Sequence, residues 1–138
     1  MVEVNGKLFS YWDDIETVIN EIVDKLNELK LPIDSVYGIP RGGLIPAVML
    51  SHKLDLPLVD KPTEQTLVVD DISDTGTTLG EHHLHGAFYT ATLHMRKGST
   101  YEPTIYGRFI DSDKWIVYPW ESREAKPIQD YKLKNNNI

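Results

Sequence analysis

Two adjacent carboxylates, Asp70 and Asp71, close the apolar run Leu67-Val68-Val69. A loop of hydroxyls, one more acid and one glycine follows: Ser73, Asp74, Thr75, Gly76, Thr77, Thr78. Each part suits one portion of a phosphorylated sugar. Paired acids at a strand end can accept hydrogen bonds from two vicinal sugar hydroxyls. A glycine-containing loop that opens a helix offers backbone N–H groups and a helix dipole to a phosphate, and Gly76 lets backbone approach without a Cβ. In Tyr37-Gly38-Ile39-Pro40-Arg41-Gly42-Gly43, Gly42 and Gly43 expose N–H groups beside the Arg41 cation, a clamp suited to pyrophosphate. Asp113-Lys114-Trp115-Ile116-Val117-Tyr118-Pro119-Trp120-Glu121 supplies large aromatic faces, fit either for stacking on a flat base or for core packing. His82, His83 and His85 cluster without cysteine or a flanking acid beyond Glu81. A polar helix end is therefore the better reading than a zinc site. His52 and His94 read as scaffold, with His94 near the pocket.

These residues need elements to hold them. Ile15, Val18, Ile19, Ile22, Val23, Leu26 and Leu29 recur at three- and four-residue steps, which predicts a helix over 13–29. Asp13 with Glu16 forms its capping pair, and Leu31-Pro32 ends it. Strands are predicted over 35–41, 56–60, 66–71, 87–95 and 104–110. Helices follow Pro46 to about Leu54 and Thr77 to about His85. The polar stretch 129–137 is expected to fray. Alternating strands and helices predict an α/β fold, a parallel twisted sheet with helices on both faces. Ligands of such sheets bind beyond the carboxyl ends of the strands. The Arg41 loop, the Asp70–Thr78 loop and the residues after Met95 all fall there.

The chain has 138 residues, the size of a single domain spanning 1–138. Hydrophobic content of 41% and charge of 25% place it among soluble globular proteins. It has no cysteine, which removes disulfides and thiolate chemistry. The longest apolar run, Leu44 to Leu50, contains Pro46 and is far short of a membrane span. With no leader pattern at the start, a cytoplasmic, membrane-free location is expected. A net charge of −7 argues against a nucleic-acid surface, but not against a small anion held by amides, one arginine and Mg²⁺.

The stretch 67–79 resembles the 5-phosphoribosyl pyrophosphate (PRPP) signature of the type I phosphoribosyltransferases: an apolar run, two acids, two variable positions, then Asp-Thr-Gly-x-Thr. The resemblance extends from Lys7-Leu8-Phe9-Ser10-Tyr11-Trp12-Asp13 to about Glu121 and is strongest toward the xanthine–guanine and hypoxanthine enzymes. It implies that Asp70, Asp71 and Ser73 to Thr78 bind PRPP, with Asp70 and Asp71 aiding Mg²⁺. It implies that Pro40, Arg41, Gly42 and Gly43 bind pyrophosphate, with the peptide bond before Arg41 often cis. It places Trp115 on the purine face, the Ile116 carbonyl at the base's exocyclic edge, and Asp74 at the N7 side as acid or base. The basic residue that meets the purine 6-oxygen is Arg96 by spacing, although the family usually has lysine there and Lys97 is adjacent. The family resemblance also implies a small hood built from the chain ends and a homo-oligomer, dimer or tetramer.

One feature departs from the pattern. The family carries a long flexible loop between its second and third strands that closes over PRPP; here Lys61-Pro62-Thr63-Glu64-Gln65 is all there is. Five residues cannot form a lid that shields a sugar cation from water. The expected function is therefore transfer of the phosphoribosyl group from PRPP to a purine. The alternative is a PRPP- or nucleotide-binding regulator with little turnover. A pyrimidine transferase is a weaker rival, since Trp115-Ile116 and Pro119-Trp120 fit the purine pattern.

Overall fold

In the computed structural model, which describes residues 1–84, 86 and 89–122, the longest amphipathic stretch forms α1, Trp12–Leu29. Its apolar face buries Ile15, Val18, Ile19, Ile22 and Leu26. The entry differs from the expected Asp13/Glu16 pair. The helix begins one residue earlier, so Asp14 sits where a carboxylate can reach back, and it accepts the Tyr11 N–H at 2.8 Å. Lys30 ends the helix in the left-handed region at φ 52°, donating its N–H to Leu26 O.

Four parallel strands form the main sheet in the order β3 (Ser35–Gly38), β4 (Thr66–Ser73), β5 (Tyr89–Arg96), β6 (Ile105–Ile110). α2 (Leu44–Leu54) follows β3, and α3 (Thr77–Leu84) follows β4. Alternation along β4 explains the layers. Leu67 and Val69 join the core under α1 and α2, while Val68 packs with Ile39 and Leu79 of α3 on the opposite face. Helices thus cover both faces, as predicted.

The strand expected over 56–60 is reduced to one parallel bridge, Leu58 to Val36. Val36 N–H donates to Pro57 O at 2.9 Å and Val59 N–H to Val36 O at 2.8 Å. Pro57 has no N–H to continue a ladder. The bridge still matters. It puts segment 57–59 outside β3, whereas the chain after β4 moves the other way, to β5. The winding direction reverses between β3 and β4, which is where open α/β sheets form a ligand crevice.

β3 stops at Gly38 rather than 41, because residues 39–43 turn into α2. β4 runs to Ser73, past the expected 71, because pairing with β5 continues to Ser73–Met95. Ala87, His85 and the 129–137 tail lie outside the described residues.

The chain ends build a second, small sheet: β1 (Val2–Val4) pairs antiparallel with β2 (Lys7–Phe9), and β2 pairs parallel with β7 (Ile116–Val117). Asn5 and Gly6 form the two-residue turn with φ of 51° and 79°, the positive values such hairpins demand. This sheet is the predicted hood. No described helix is long and apolar enough to cross a membrane.

Candidate functional site

The acid pair sits at the end of β4, half-buried. Asp70 accepts the Asp71 N–H at 2.9 Å, and Asp71 Oδ1 accepts the Ile72 N–H at 2.8 Å. Each carboxylate is oriented by backbone one residue on. The loop after β3 packs directly on them. A Cβ at Gly42 would lie 2.2 Å from Asp71 Oδ2, and one at Gly43 would lie 2.2 Å from Val69 O. Glycine at 43 is required by the backbone of Val69 and Ile39, and at 42 it lets the Asp71 carboxylate keep its place against the loop. Ile39 N–H donates to Val69 O, Gly43 N–H to Ile39 O and Leu44 N–H to Arg41 O, which winds the loop into α2. The Pro40–Arg41 peptide is cis, and Arg41 is exposed.

The loop from Ser73 to Thr78 is braced from behind. Ser73 is buried, its hydroxyl on Ser99 Oγ at 2.8 Å and Tyr101 O at 2.8 Å. Thr75 O accepts both the N–H (2.9 Å) and the hydroxyl (2.8 Å) of Thr100. Gly76 has φ 90°, and a Cβ there would lie 2.5 Å from Tyr101 N. The close approach that its missing Cβ permits is thus made by the chain's own 99–101 segment. The Thr77 N–H reaches the Thr75 hydroxyl at 3.3 Å. Nothing in the sequence marked residues 99–101 for this role.

Asp74, Arg96, Trp115 and Ile116 line one shallow cleft; Asp71, Ile72, Tyr118 and Glu121 complete it. Arg96 is 8% exposed. Its Nε lies 2.8 Å from Asp74 Oδ1, and Nη1 donates to Ser112 O. Lys97 does not line this cleft: its Nζ is 3.4 Å from Asp111, and both side chains are 70% exposed. In β7, Leu8 N–H donates to Trp115 O and Ser10 N–H to Val117 O. Carbonyls alternate along a strand, so the Ile116 carbonyl points to the opposite edge, away from β2. The Trp115 indole N–H is buried without a partner among the described residues. Trp120 belongs to the hood packing instead, stacked on Tyr118 at 5.0 Å and close to Trp12 at 5.9 Å.

Bordering the cleft is a buried polar pair that sequence reasoning missed. His94 Nδ1 is 2.8 Å from Tyr118 Oη, and that hydroxyl is 3.4 Å from Asp71 O. Burial, helped by the Arg108 and Arg96 cations, pushes the His94 pKa down to about 4. Burial, with the Asp71 and Glu121 carboxylates nearby, pushes the Tyr118 phenol well above its usual value. Both groups are neutral near neutral pH. Glu121 Oε1 accepts the Tyr118 N–H at 2.8 Å. Of the histidine cluster, His82 packs near the Tyr37 ring and His85 lies outside the described residues. No group of three potential metal ligands occurs among the described residues.

No protein-family model matches the chain. It is 27% identical to the xanthine-guanine phosphoribosyltransferase of Nitratidesulfovibrio vulgaris strain Hildenborough over 136 residues, covering 80% of this chain and 82% of that protein. Among solved structures it is similar to a purine phosphoribosyltransferase from Pyrococcus horikoshii Ot3, with 33% identity and a TM-score of 0.74, covering 89% of this chain and 99% of that one. The Helicobacter pylori xanthine-guanine-hypoxanthine phosphoribosyltransferase shares the fold, with a TM-score of 0.66 at 21% identity over 95% of this chain and 98% of that one.

Proposed function

Because the chain belongs to the type I phosphoribosyltransferases, on the purine side of that family, we propose that it transfers the 5-phosphoribosyl group of PRPP to a 6-oxopurine, releasing pyrophosphate. The observation that carries this reading is the shared position of Asp71. It belongs to the sugar-binding acid pair and also lines the cleft formed by Asp74, Arg96 and Trp115. A sugar on the first and a base in the second would meet.

The roles follow from the chemistry of each group. Asp70 and Asp71 accept hydrogen bonds from the two ribose hydroxyls. The amino end of α3 holds the 5′-phosphate through orphan N–H groups and the helix dipole. Arg41 and the Gly42-Gly43 amides hold pyrophosphate. Trp115 stacks on the purine. Arg96, whose Nε and Nη1 are fixed by Asp74 and Ser112, presents its other N–H groups to the purine 6-oxygen. A guanidinium only donates, so a 6-amino group would meet donor with donor.

Two adjacent carboxylates suit a hard, oxygen-preferring Mg²⁺, whose other ligands would be substrate oxygens and water. Bound with PRPP, Mg²⁺ supplies charge neutralisation on the departing pyrophosphate. Arg41 stabilises the same growing charge. The C1′–O bond to pyrophosphate breaks, purine N9 forms the new C1′–N bond, and Asp74 takes the proton from N7.

The test is pyrophosphate release and nucleotide formation with PRPP, Mg²⁺ and each of guanine, xanthine, hypoxanthine and adenine. Turnover with one or more 6-oxopurines, and far less with adenine, is expected. Firm PRPP binding without turnover on any purine would overturn the enzyme reading in favour of a regulator.

A further inference from the structure

His94 and Tyr118 come from different parts of the molecule. His94 is on β5, paired in register with Ile72 of β4. Tyr118 follows β7 of the hood. Each is 2% exposed. Burying two polar side chains costs stability unless they satisfy one another, and an apolar pair would fill the same space. Their bonding is directional. A neutral imidazole has one N–H and a phenol has one O–H. If Nδ1 carries the proton, Nδ1–H donates to Tyr118 Oη, and Oη–H is left to donate to Asp71 O. This tautomer alone uses both recorded contacts, of 2.8 Å and 3.4 Å, with one hydrogen each.

The end of this relay is Asp71, whose carboxylate already packs on Gly42 and accepts the Ile72 N–H. Its middle member, Tyr118, is anchored in the hood. The Tyr118 ring stacks on Trp120, its N–H is held by Glu121, and Trp115 and Ile116 lie just before it in the chain. The relay therefore links the segment that would hold the base to the acid that would hold the ribose.

We infer that His94 and Tyr118 are positioning residues for phosphoribosyl transfer, a relay from β5 through the hood to the Asp71 carbonyl that fixes the base cleft relative to the acid pair. This rests on the function proposed above. His94 does not line the cleft, and the Tyr118 hydroxyl, at the cleft wall, is engaged with His94 and the Asp71 carbonyl. Each half-site keeps its own ligands when the relay is cut. What is lost is alignment of N9 with C1′, and reacting atoms must be held about 3–3.5 Å apart to react. The signature is a fall in kcat without a matching fall in either affinity.

The variants are Tyr118→Phe, which deletes one oxygen and keeps the stack; His94→Leu, which removes the donor; and His94→Asn, which keeps a donor near the Nδ1 position. Titration calorimetry gives the Kd for PRPP–Mg²⁺ and for guanine separately, steady-state kinetics gives kcat, and ¹⁵N NMR gives the His94 tautomer. The wild type is expected to show the Nδ1–H form. Tyr118→Phe is expected to lower kcat about tenfold, the scale of one net hydrogen bond, with both Kd values within about twofold. His94→Asn should stay nearer wild type than His94→Leu, and Tyr118→Phe with His94→Leu should be no worse than either alone, as for groups acting as a unit. Unchanged kcat in Tyr118→Phe, equal losses in Kd and kcat, or an Nε2–H tautomer would overturn the inference. If His94→Leu does not fold, Tyr118→Phe and His94→Asn decide the matter. A wild-type chain that binds no PRPP would overturn the proposed function, and this inference with it; a working wild type with a fully active Tyr118→Phe overturns the inference alone.

Discussion

Asp70 and Asp71 have their Oδ1 atoms engaged with backbone N–H groups, a role an amide oxygen can take over. Asp70→Asn with Asp71→Asn should therefore fold and still lose PRPP–Mg²⁺, at roughly 1.5–3 kcal/mol for each charged hydrogen-bond partner removed. Equal calorimetric affinity of wild type and double variant would sink the site assignment. Trp115→Ala should weaken purine binding and leave PRPP binding nearly intact, since Trp115 lines the cleft and not the phosphate loop; a folded variant that binds purine normally would rule out stacking. His94 makes a pH prediction. Its folded pKa of about 4 lies below the ordinary 6.5. The unfolded chain thus takes up the proton first, and the stability is complete above about pH 6.5 and drains away as pH falls toward 4. Its share between about pH 7 and about pH 4.5 is roughly 2–3 kcal/mol. Urea unfolding at both pH values should show a smaller acid loss for His94→Asn than for wild type. At this scale the sequence was legible where chemistry is local. Asp70 to Thr78 and Arg41 to Gly43 are contiguous, and their types and order suggest their use. His94 and Tyr118 stand 24 positions apart, so no spacing in the chain announced them.

The loops at the carboxyl ends of β3 and β4 are held together by what glycine leaves out. Gly43→Ala would set a Cβ 2.2 Å from Val69 O, a backbone atom in the second strand of the sheet that cannot step aside. Overpacking of this kind costs about 1–3 kcal/mol, and here the upper end or failure to fold is expected. Gly80→Ala, within α3, meets nothing within 4 Å and should be neutral or stabilise by up to about 1 kcal/mol. Thermal unfolding of the two variants side by side checks the contrast; equal melting temperatures would contradict the packing argument. Elements with a long period were readable. The five buried positions of α1, Ile15 to Leu26, recur over about three turns and mark it as a helix. Elements that depend on distant partners were not. β7 has two residues, too few for alternation to show, and exists because β2 lies beside it. The β1–β2 hairpin did carry a signal, Asn5-Gly6, the pair that two-residue turns favour. The segment 56–60 reads as a strand by composition, but Pro57 removes the donor a ladder needs.

Over the whole molecule, the connection that would cover the site in the family pattern lies, among the described residues, at the other end of the sheet. Residues 60–65 are exposed. Gln65 O accepts the Asp34 N–H, and the Thr63 N–H donates to the Thr66 hydroxyl, so this connection is tied to the amino ends of β3 and β4. From there to the carboxyl end of β4 is roughly 23 Å at about 3.3 Å per residue. Five residues anchored at one end of the sheet do not close over the other. A transferase so built exposes the developing sugar cation to water, and part of the PRPP it consumes should be hydrolysed instead of transferred. Under the proposed function, leaving-group stabilisation would then fall mainly to Arg41, aided by a bound Mg²⁺. Charge on pyrophosphate grows as its bond breaks, so Arg41→Ala should lower turnover more than it lowers PRPP affinity. Nucleotide formation measured alongside pyrophosphate release, for wild type and Arg41→Ala, tests both statements. Pyrophosphate in excess of nucleotide is expected for the wild type, and a larger fall in kcat than in PRPP affinity for the variant. Fast turnover with one pyrophosphate per nucleotide would refute the argument from the short connection and point to cover from another segment, with a second subunit of a homo-oligomer the first candidate. Equal effects of Arg41→Ala on affinity and turnover would mean that Arg41 binds PRPP and its transition state alike, leaving catalysis of pyrophosphate departure to the Gly42-Gly43 amides and the metal.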